Sequence, residues 1–405
     1  MLQILFTCLL CLCTCGLWTA QAEDPGAISS TESPHRGLAP TNVDFAFSLY
    51  QRLAASATNS NIFISPVSIS TALAMLALGS SGHTRTQLLQ GLGFNLSTTS
   101  DTEIHQNFRE LHQLLRESNM GLEMATGNGL FLDHKLHPRE SFLADIRHYY
   151  GSEALTADLQ DWSRASKQIN EYINNKTQGK LVDTFSELDG PASLILVNYN
   201  FFRGILKHPF DPENTRKKDF HVNETTTVTV PMMFRSGTMK YLLDPVLPCR
   251  LVQLDCTGNA TIFLILPDQG QMDAVIKGLS RKTIRRWEIS LTSGLVNLYL
   301  PKFSISSTND LSALLADLDF AALFSNQANF SAITQESPLE LIKVVHTALL
   351  RMDESNAMKP ADPAVIIKQE YEAAVTFEFN HPFFVMIFDH LTWSSLLLGQ
   401  IMHLS

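Results

Sequence analysis

The order of the periodic segments predicts an α+β fold. Helical patterns occupy most of the chain up to Leu181, strand patterns dominate from Val228 onward, and the two do not alternate as parallel βαβ units require. Composition supports one unit: 45% of the 405 residues are hydrophobic, 17% are charged, and no low-complexity linker or repeat divides them. Such a chain can bury a large continuous core. A prior of ~150 residues per domain would suggest two or three domains, but the composition does not support a split. The net charge of −10 argues against nucleic acid as a partner, because phosphate binding needs a basic face.

The elements follow in order. The first 22 residues, apolar through Leu17 and ending Ala20-Gln21-Ala22, read as a secretory signal peptide. They are too short to span a membrane, and no other uncharged stretch of 18 apolar residues follows, so no membrane span is expected. Residues 23–40 carry Pro and Ser and read as a flexible N-terminal segment. Asn42–Leu53 has helical periodicity, Asn61–Ser65 reads as a strand, and the almost wholly apolar Ser68–Gly79 reads as a buried helix. Ser100-Asp-Thr-Glu103 is a capping box opening a helix with Ile104, Phe108, Leu111 and Leu115 on one face. Trp162–Leu181 is helical and Ser193–Phe202 is a strand. Leu251–Leu254, Thr261–Leu266 and Leu295–Ile305 are strands, interrupted by a helix over Met272–Trp287. Three strands close the chain, Ala373–Phe379, Phe383–Phe388 and Ser394–Met402, the last two joined by a turn at Asp389-His-Leu-Thr392. Between these apolar elements lies a polar, proline-bearing stretch, 353 to 372, with neither helical nor strand period.

Four of the six cysteines fall in the leader, leaving Cys249 and Cys256. Seven residues of strand span about 23 Å, and a disulfide needs Cα atoms within ~7 Å, so only a tight hairpin could join them. The intervening Val-Gln-Leu-Asp reads as strand, and two free, buried thiols are expected. Sequons at Asn95, Asn175, Asn223, Asn259 and Asn329, with the leader, fit a secreted glycoprotein. No Gly-x-Ser-x-Gly elbow, P-loop or Gly-x-Gly-x-x-Gly is present, so no enzymatic activity and no cofactor are expected. His134-x-x-His137 comes nearest to a metal pair but lacks a third ligand in sequence, and no metal is expected.

Several stretches together resemble the serpin family. They are Asn61-Ile-Phe-Ile-Ser-Pro-Val-Ser68 with Ala72-Leu-Ala-Met75, Asn175-Lys-Thr-Gln-Gly-Lys180, Asn198 to Gly204 ending Phe-Phe-Arg-Gly, and Phe379-Asn-His-Pro-Phe383, where the family usually has Arg for His381. The resemblance runs from about residue 40 to 405. It implies a single domain over residues 41–405, with three β-sheets, eight or nine helices and an exposed reactive-centre loop, here about residues 354–372, in a monomer.

In inhibitory serpins a protease cuts this loop, whose N-terminal part then inserts as a central strand. That needs a run of small residues after a Glu-x-Gly-Thr-like hinge. Glu354 matches the Glu, but Asn356 replaces Gly and Ala357-Met-Lys-Pro-Ala-Asp-Pro363 replaces the small run. In a strand, Lys359 and Pro363 would share one face and Pro360 and Asp362 the other. Either face brings in a charge, and a central proline lacks its ladder donor. The loop is expected to be cut by an elastase-like protease near Val365 and Ile366 without trapping it.

Among non-inhibitory serpins the chain is similar to plasma carriers of glucocorticoids, on His35–Ala39, Asn42–Tyr50, His83–Asn95 and Phe388–Ser395, of which Thr-Trp-Ser-Ser discriminates most. The resemblance implies reversible binding of a cortisol- or corticosterone-type steroid, and of progestins, with release modulated by loop cleavage. It places Trp393 against the steroid, with Gln253 and Arg281 as polar contacts, His390 at the rim, and Arg285 where the carriers have Asn. A protease inhibitor is the alternative disfavoured by the hinge, and a thyroid-hormone carrier the one disfavoured by Thr-Trp-Ser-Ser. On the residues alone, Trp393 is a turn tryptophan covering a sheet end, and Arg281 and Arg285, one helical turn apart, are a solvated face.

Overall fold

A computed structural model describes residues 39–404 apart from 58, 119–121, 186–191, 336–338, 340–341 and 355–372. The expected leader, nearly all of the expected N-terminal segment and the loop residues Asn356, Val365 and Ile366 lie outside these residues. The described chain runs α1 (Ala39–Ser56), β1 (Ile62–Ile64), α2 (Pro66–Gly79), α3 (Gly82–Gly91), α4 (Asp101–Ser118), β2 (Glu123–Asp133), α5 (Glu140–Tyr150), β3 (Glu153–Ala157), α6 (Trp162–Lys176), β4 (Leu194–Arg203), β5 (Arg216–His221), β6 (Thr227–Leu243), β7 (Cys249–Asp255) and β8 (Ala260–Pro267). It continues through α7 (Met272–Lys277), α8 (Arg281–Ser290), β9 (Thr292–Pro301), β10 (Phe303–Asp310), α9 (Ser312–Asp317), β11 (Ile342–Met352), β12 (Val375–Glu378), β13 (Phe383–Asp389) and β14 (Ser394–Ile401). The α+β order holds.

A five-stranded sheet, ordered β10-β11-β4-β2-β3, forms one layer. Its central strands are apolar on both faces because both are covered. Leu130, Leu132, Leu194 and Leu196 join the main core with α2, in which every residue but Leu78 is buried. The alternate residues Phe131, Ile195 and Val197 pack with Ala165, Ile169 and Ile173 of α6. β11 and β4 pair directly and in parallel, from Ile342 opposite Leu194 to Arg351 opposite Arg203. At the sheet centre His346 is fully buried, its Nδ1 2.5 Å from Asn198 Oδ1 and its Nε2 accepting from Ser65 N at 3.0 Å. Burial pushes this imidazole down to about 3, which holds it neutral. Beyond β11, Glu354 accepts from Thr215 Oγ1 at 2.7 Å and meets Lys302 Nζ at 2.7 Å. Burial alone would raise this carboxyl, but the bonds from Lys302 and Thr215 outweigh it and hold it below the usual range.

The remaining strands form one network, β1-β14-β13-β8-β7-β6-β9-β12, with β5 also on β6. Three sheets are expected, and two of them are continuous here because β6 is 17 residues long. Its first part pairs with β5, Met232–Tyr241 pairs with β9, and Lys240–Leu243 pairs with β7. Two expected elements are split. The helix over Met272–Trp287 breaks into α7 and α8, because Gly278 ends the first and Ser280 caps the second through its Oγ on Thr283 N at 3.2 Å. The strand over Leu295–Ile305 breaks at Lys302, sending β9 into the long network and β10 into the five-stranded sheet. Cys249 and Cys256 are free and buried, as expected, and burial pushes both thiols up to about 12.

Candidate functional site

Strand register assembles one face of a cleft. Lys240 stands opposite Gln253, and Gln253 opposite Phe263, so three neighbouring strands present a cation, an amide and a ring in one row. β13 adds Phe388, opposite Thr261 of β8 and packed edge-on to Phe263 at 6.4 Å between ring centres. Ile284 and Glu288, one turn apart on α8, close another side. The cleft holds about 260 Å³ and continues, through the shared Lys240, Gln253 and Asp255, into a smaller one of about 130 Å³.

The turn between β13 and β14 carries Trp393 into this cleft. Asp389 is fully buried and is the turn's anchor: its Oδ1 accepts from Thr392 N and Thr392 Oγ1, both at 2.8 Å, and its Oδ2 accepts from Ser118 Oγ of α4 at 2.9 Å. Trp393 then adopts φ +55°, a left-handed conformation that a bulky residue takes only where its surroundings fix it. The ring is half-buried and rests against the core. His390 is exposed on the rim; its backbone N–H donates to Asn259 O at 2.9 Å and its Nε2 meets Thr261 Oγ1.

The expected site residues divide into two groups. Trp393, Gln253 and His390 all line the cleft. Gln253 is half-buried, and its Nε2 donates to Asp255 Oδ1 at 2.9 Å, two residues along the same strand face. Arg281 and Arg285 do not line it. Arg281 instead binds Asp44 of α1 through Nε at 2.8 Å, and Arg285 is exposed on the adjoining stripe of α8. All five sequon asparagines are exposed, and Asn259 is itself on the cleft rim. Phe263, Phe388 and Ile284 escape sequence reading, because in strands buried on both faces, or on an amphipathic helix, a cleft-facing apolar residue looks like core.

The cleft's chemistry is that of a holder. Apolar walls from Phe263, Phe388, Ile284 and Trp393 suit a flat hydrocarbon surface. Among the charged lining residues Lys207 and Lys240 stand against Asp255, Glu288 and the buried Asp389, a slightly acidic balance that offers no strong field to attract an anionic ligand.

Comparison with known proteins agrees in family. A family model described as serpin (serine protease inhibitor) matches residues 40–404. Corticosteroid-binding globulin of Bos taurus is 59% identical over 403 residues, covering 100% of both chains. The human protein of that name is 56% identical over 401 residues, covering 99% of both. Among solved structures, human thyroxine-binding globulin complexed with thyroxine superposes with a TM-score of 0.85 at 35% identity, covering 92% of this chain and 99% of that one.

Proposed function

The chain belongs to the serpin family, and on that premise we propose that it is a secreted, non-inhibitory plasma carrier that binds glucocorticoid-type steroids, and progestins, reversibly in the cleft beneath Trp393. The observation that carries the reading is the convergence, from two strands, the turn after β13 and one helix, of Trp393, Phe388, Phe263 and Ile284 on one cleft rimmed by Gln253 of β7. A steroid is a rigid apolar plate with a few oxygens. The rings and Ile284 offer area, and Gln253 and His390 offer hydrogen bonds at the edge. Arg281 and Arg285 reach the ligand in this reading only if α8 side chains turn toward the rim, and Arg281 must then leave Asp44. About 25 heavy atoms at ~0.3 kcal/mol each give ~7.5 kcal/mol, which corresponds to micromolar binding. Tighter binding draws on preorganisation, which the Asp389 anchor supplies at the turn.

A lining with two lysines against three carboxylates favours an uncharged steroid over thyroxine, whose ionised carboxylate needs a cationic partner. The loop beyond Glu354 serves in this reading as a cleavable segment, cut by an elastase-like protease near Val365 and Ile366, and not as an inhibitory bait. Titration of the protein's tryptophan fluorescence with cortisol and with thyroxine tests the proposal. Saturable quenching by cortisol with one site per chain is expected; thyroxine binding tighter than cortisol overturns it.

A further inference from the structure

At the far edge of the five-stranded sheet, a second group of side chains converges where β2 and β3 both end. Asp133 closes β2, His134 follows it, and Asp158 follows β3. One ligand-type atom from each residue lies within 4.8 Å of the others. His134 Nδ1 stands 3.7 Å from Asp133 Oδ1 and 3.8 Å from Asp158 Oδ1. These separations are too long for hydrogen bonds. They lie just beyond the edge of a tetrahedron whose arms have zinc–ligand lengths of ~2.0–2.2 Å, about 3.3–3.6 Å.

A second observation points the same way. Asp133 is buried, at 5% exposure, and among the described residues only one of its oxygens is satisfied: Oδ1 accepts from Lys135 N at 3.1 Å, while the buried Oδ2 has no hydrogen-bond partner there. A carboxylate oxygen removed from water without a partner is costly, and it belongs to the same group that faces His134. The backbone holds the three residues in place independently of any ion. His134 N donates to Ala157 O at 2.8 Å, Asp133 N donates to Ser193 O at 3.0 Å, and Asp158 Oδ1 accepts from Gln160 N and Asp161 N, both at 3.3 Å.

We propose that Asp133, His134 and Asp158 bind a divalent cation, Zn²⁺ by preference, at the junction of β2, β3 and the turn into α6. One imidazole with two carboxylates suits zinc better than the all-oxygen sets that calcium and magnesium take. The His134 side chain is 50% exposed and that of Asp158 36% exposed, so water completes the coordination on the open side. The second histidine of the His134-x-x-His137 pair is not needed: the third ligand comes from a neighbouring strand end, out of reach of sequence spacing. Bound there, the ion ties the edge strand β3 to β2 and to the segment that enters α6.

The test is calorimetric titration of the full secreted chain, stripped with chelator and free of steroid, with ZnCl2 and separately with CaCl2, together with melting curves. Zinc is expected to bind at one site per chain and to raise the melting temperature by about 3–5 °C at a hundredfold excess over its Kd. His134→Gln and Asp158→Asn should each weaken binding at least tenfold. Asn at 158 keeps an oxygen for the Gln160 and Asp161 amides, so that variant keeps the turn. No saturable zinc binding, or binding unchanged in both variants, overturns the site. A shift with calcium and none with zinc overturns the choice of ion.

Discussion

Removing the Trp393 ring is the sharpest perturbation of the proposed cleft. An enclosed tryptophan buries 150–250 Å². Trp393 is half-buried before any ligand arrives, so one face, about 60–100 Å², remains to be covered by a steroid. At ~25 cal/mol per Å² that face contributes ~1.5–2.5 kcal/mol, a tenfold to sixtyfold change in Kd. The backbone is a complication, because residue 393 sits at φ +55°. Alanine would carry the same left-handed strain as tryptophan, whereas glycine would relieve ~1–2 kcal/mol of it. Trp393→Ala and Trp393→Gly should therefore lose affinity alike while differing in stability, with glycine the more stable. Equilibrium dialysis with labelled cortisol reads the affinity without relying on the fluorophore that has been removed. Unchanged binding in both folded variants would falsify the stacking role. A loss in the alanine variant alone would mean that the turn's backbone, and not the ring, matters.

Three other outcomes follow from the structure. Arg285→Asn should change steroid affinity by less than ~1.5 kcal/mol in either direction, since Arg285 is exposed and outside the cleft lining; a larger loss by dialysis would make it a principal contact. Stability should fall on acidification below the unfolded histidine value of ~6.5, because burial holds His105 and His112 at about 4 and His346 at about 3. Between those values the unfolded chain binds more protons than the native one, so the stability present above pH ~6.5 is lost by up to ~1.4 kcal/mol per pH unit for each of the three; urea midpoints that stay level between pH 7 and 4.5 would contradict this. Cutting the loop near Val365 with an elastase should leave the melting temperature almost unchanged and steroid release incomplete. Insertion would have to part the ten registered pairs of β11 and β4 and then bury Lys359 or Asp362 beside a proline, at a cost of several kcal/mol; a rise of tens of degrees with loss of cortisol binding means that the loop inserts.

Local chemistry made most of the elements readable. The Ser100 cap is formed on Glu103 N, the face of Ile104, Phe108, Leu111 and Leu115 is buried, and α2 is enclosed as its apolar composition requires. The failures lie where hydrophobic period and chain direction part company. Apolar residues run through Met272–Trp287, but Gly278 and Ser280 stop one helix and start another. A strand pattern runs through Leu295–Ile305, but the chain changes sheets at Lys302. In the cleft, Trp393, Gln253 and His390 were singled out with the help of family resemblance, because on the residues alone a turn tryptophan reads as the cover of a sheet end and a mid-strand glutamine as a solvent-facing residue. Phe263, Phe388 and Ile284 were not, because only strand register and helix packing distinguish cleft from core. The Asp133, His134 and Asp158 group joins residues from two strand ends, a proximity that only the parallel pairing of β2 with β3 creates.

The length of β9 has a mechanical consequence. At one end it passes directly into Lys302, which grips Glu354 at the root of the loop. At the other end, Ser293 pairs with Lys240, which pairs in turn with Gln253. Ten residues of strand span about 30 Å. The loop's anchorage and the cleft's wall are the two terminals of one tie rod, laced along its length to β6. A pull on the loop root that outlasts the Lys302–Glu354 grip is spent there and goes no further. A pull that the grip withstands must be carried along the rod toward Lys240 or dissipated by unzipping its ladder.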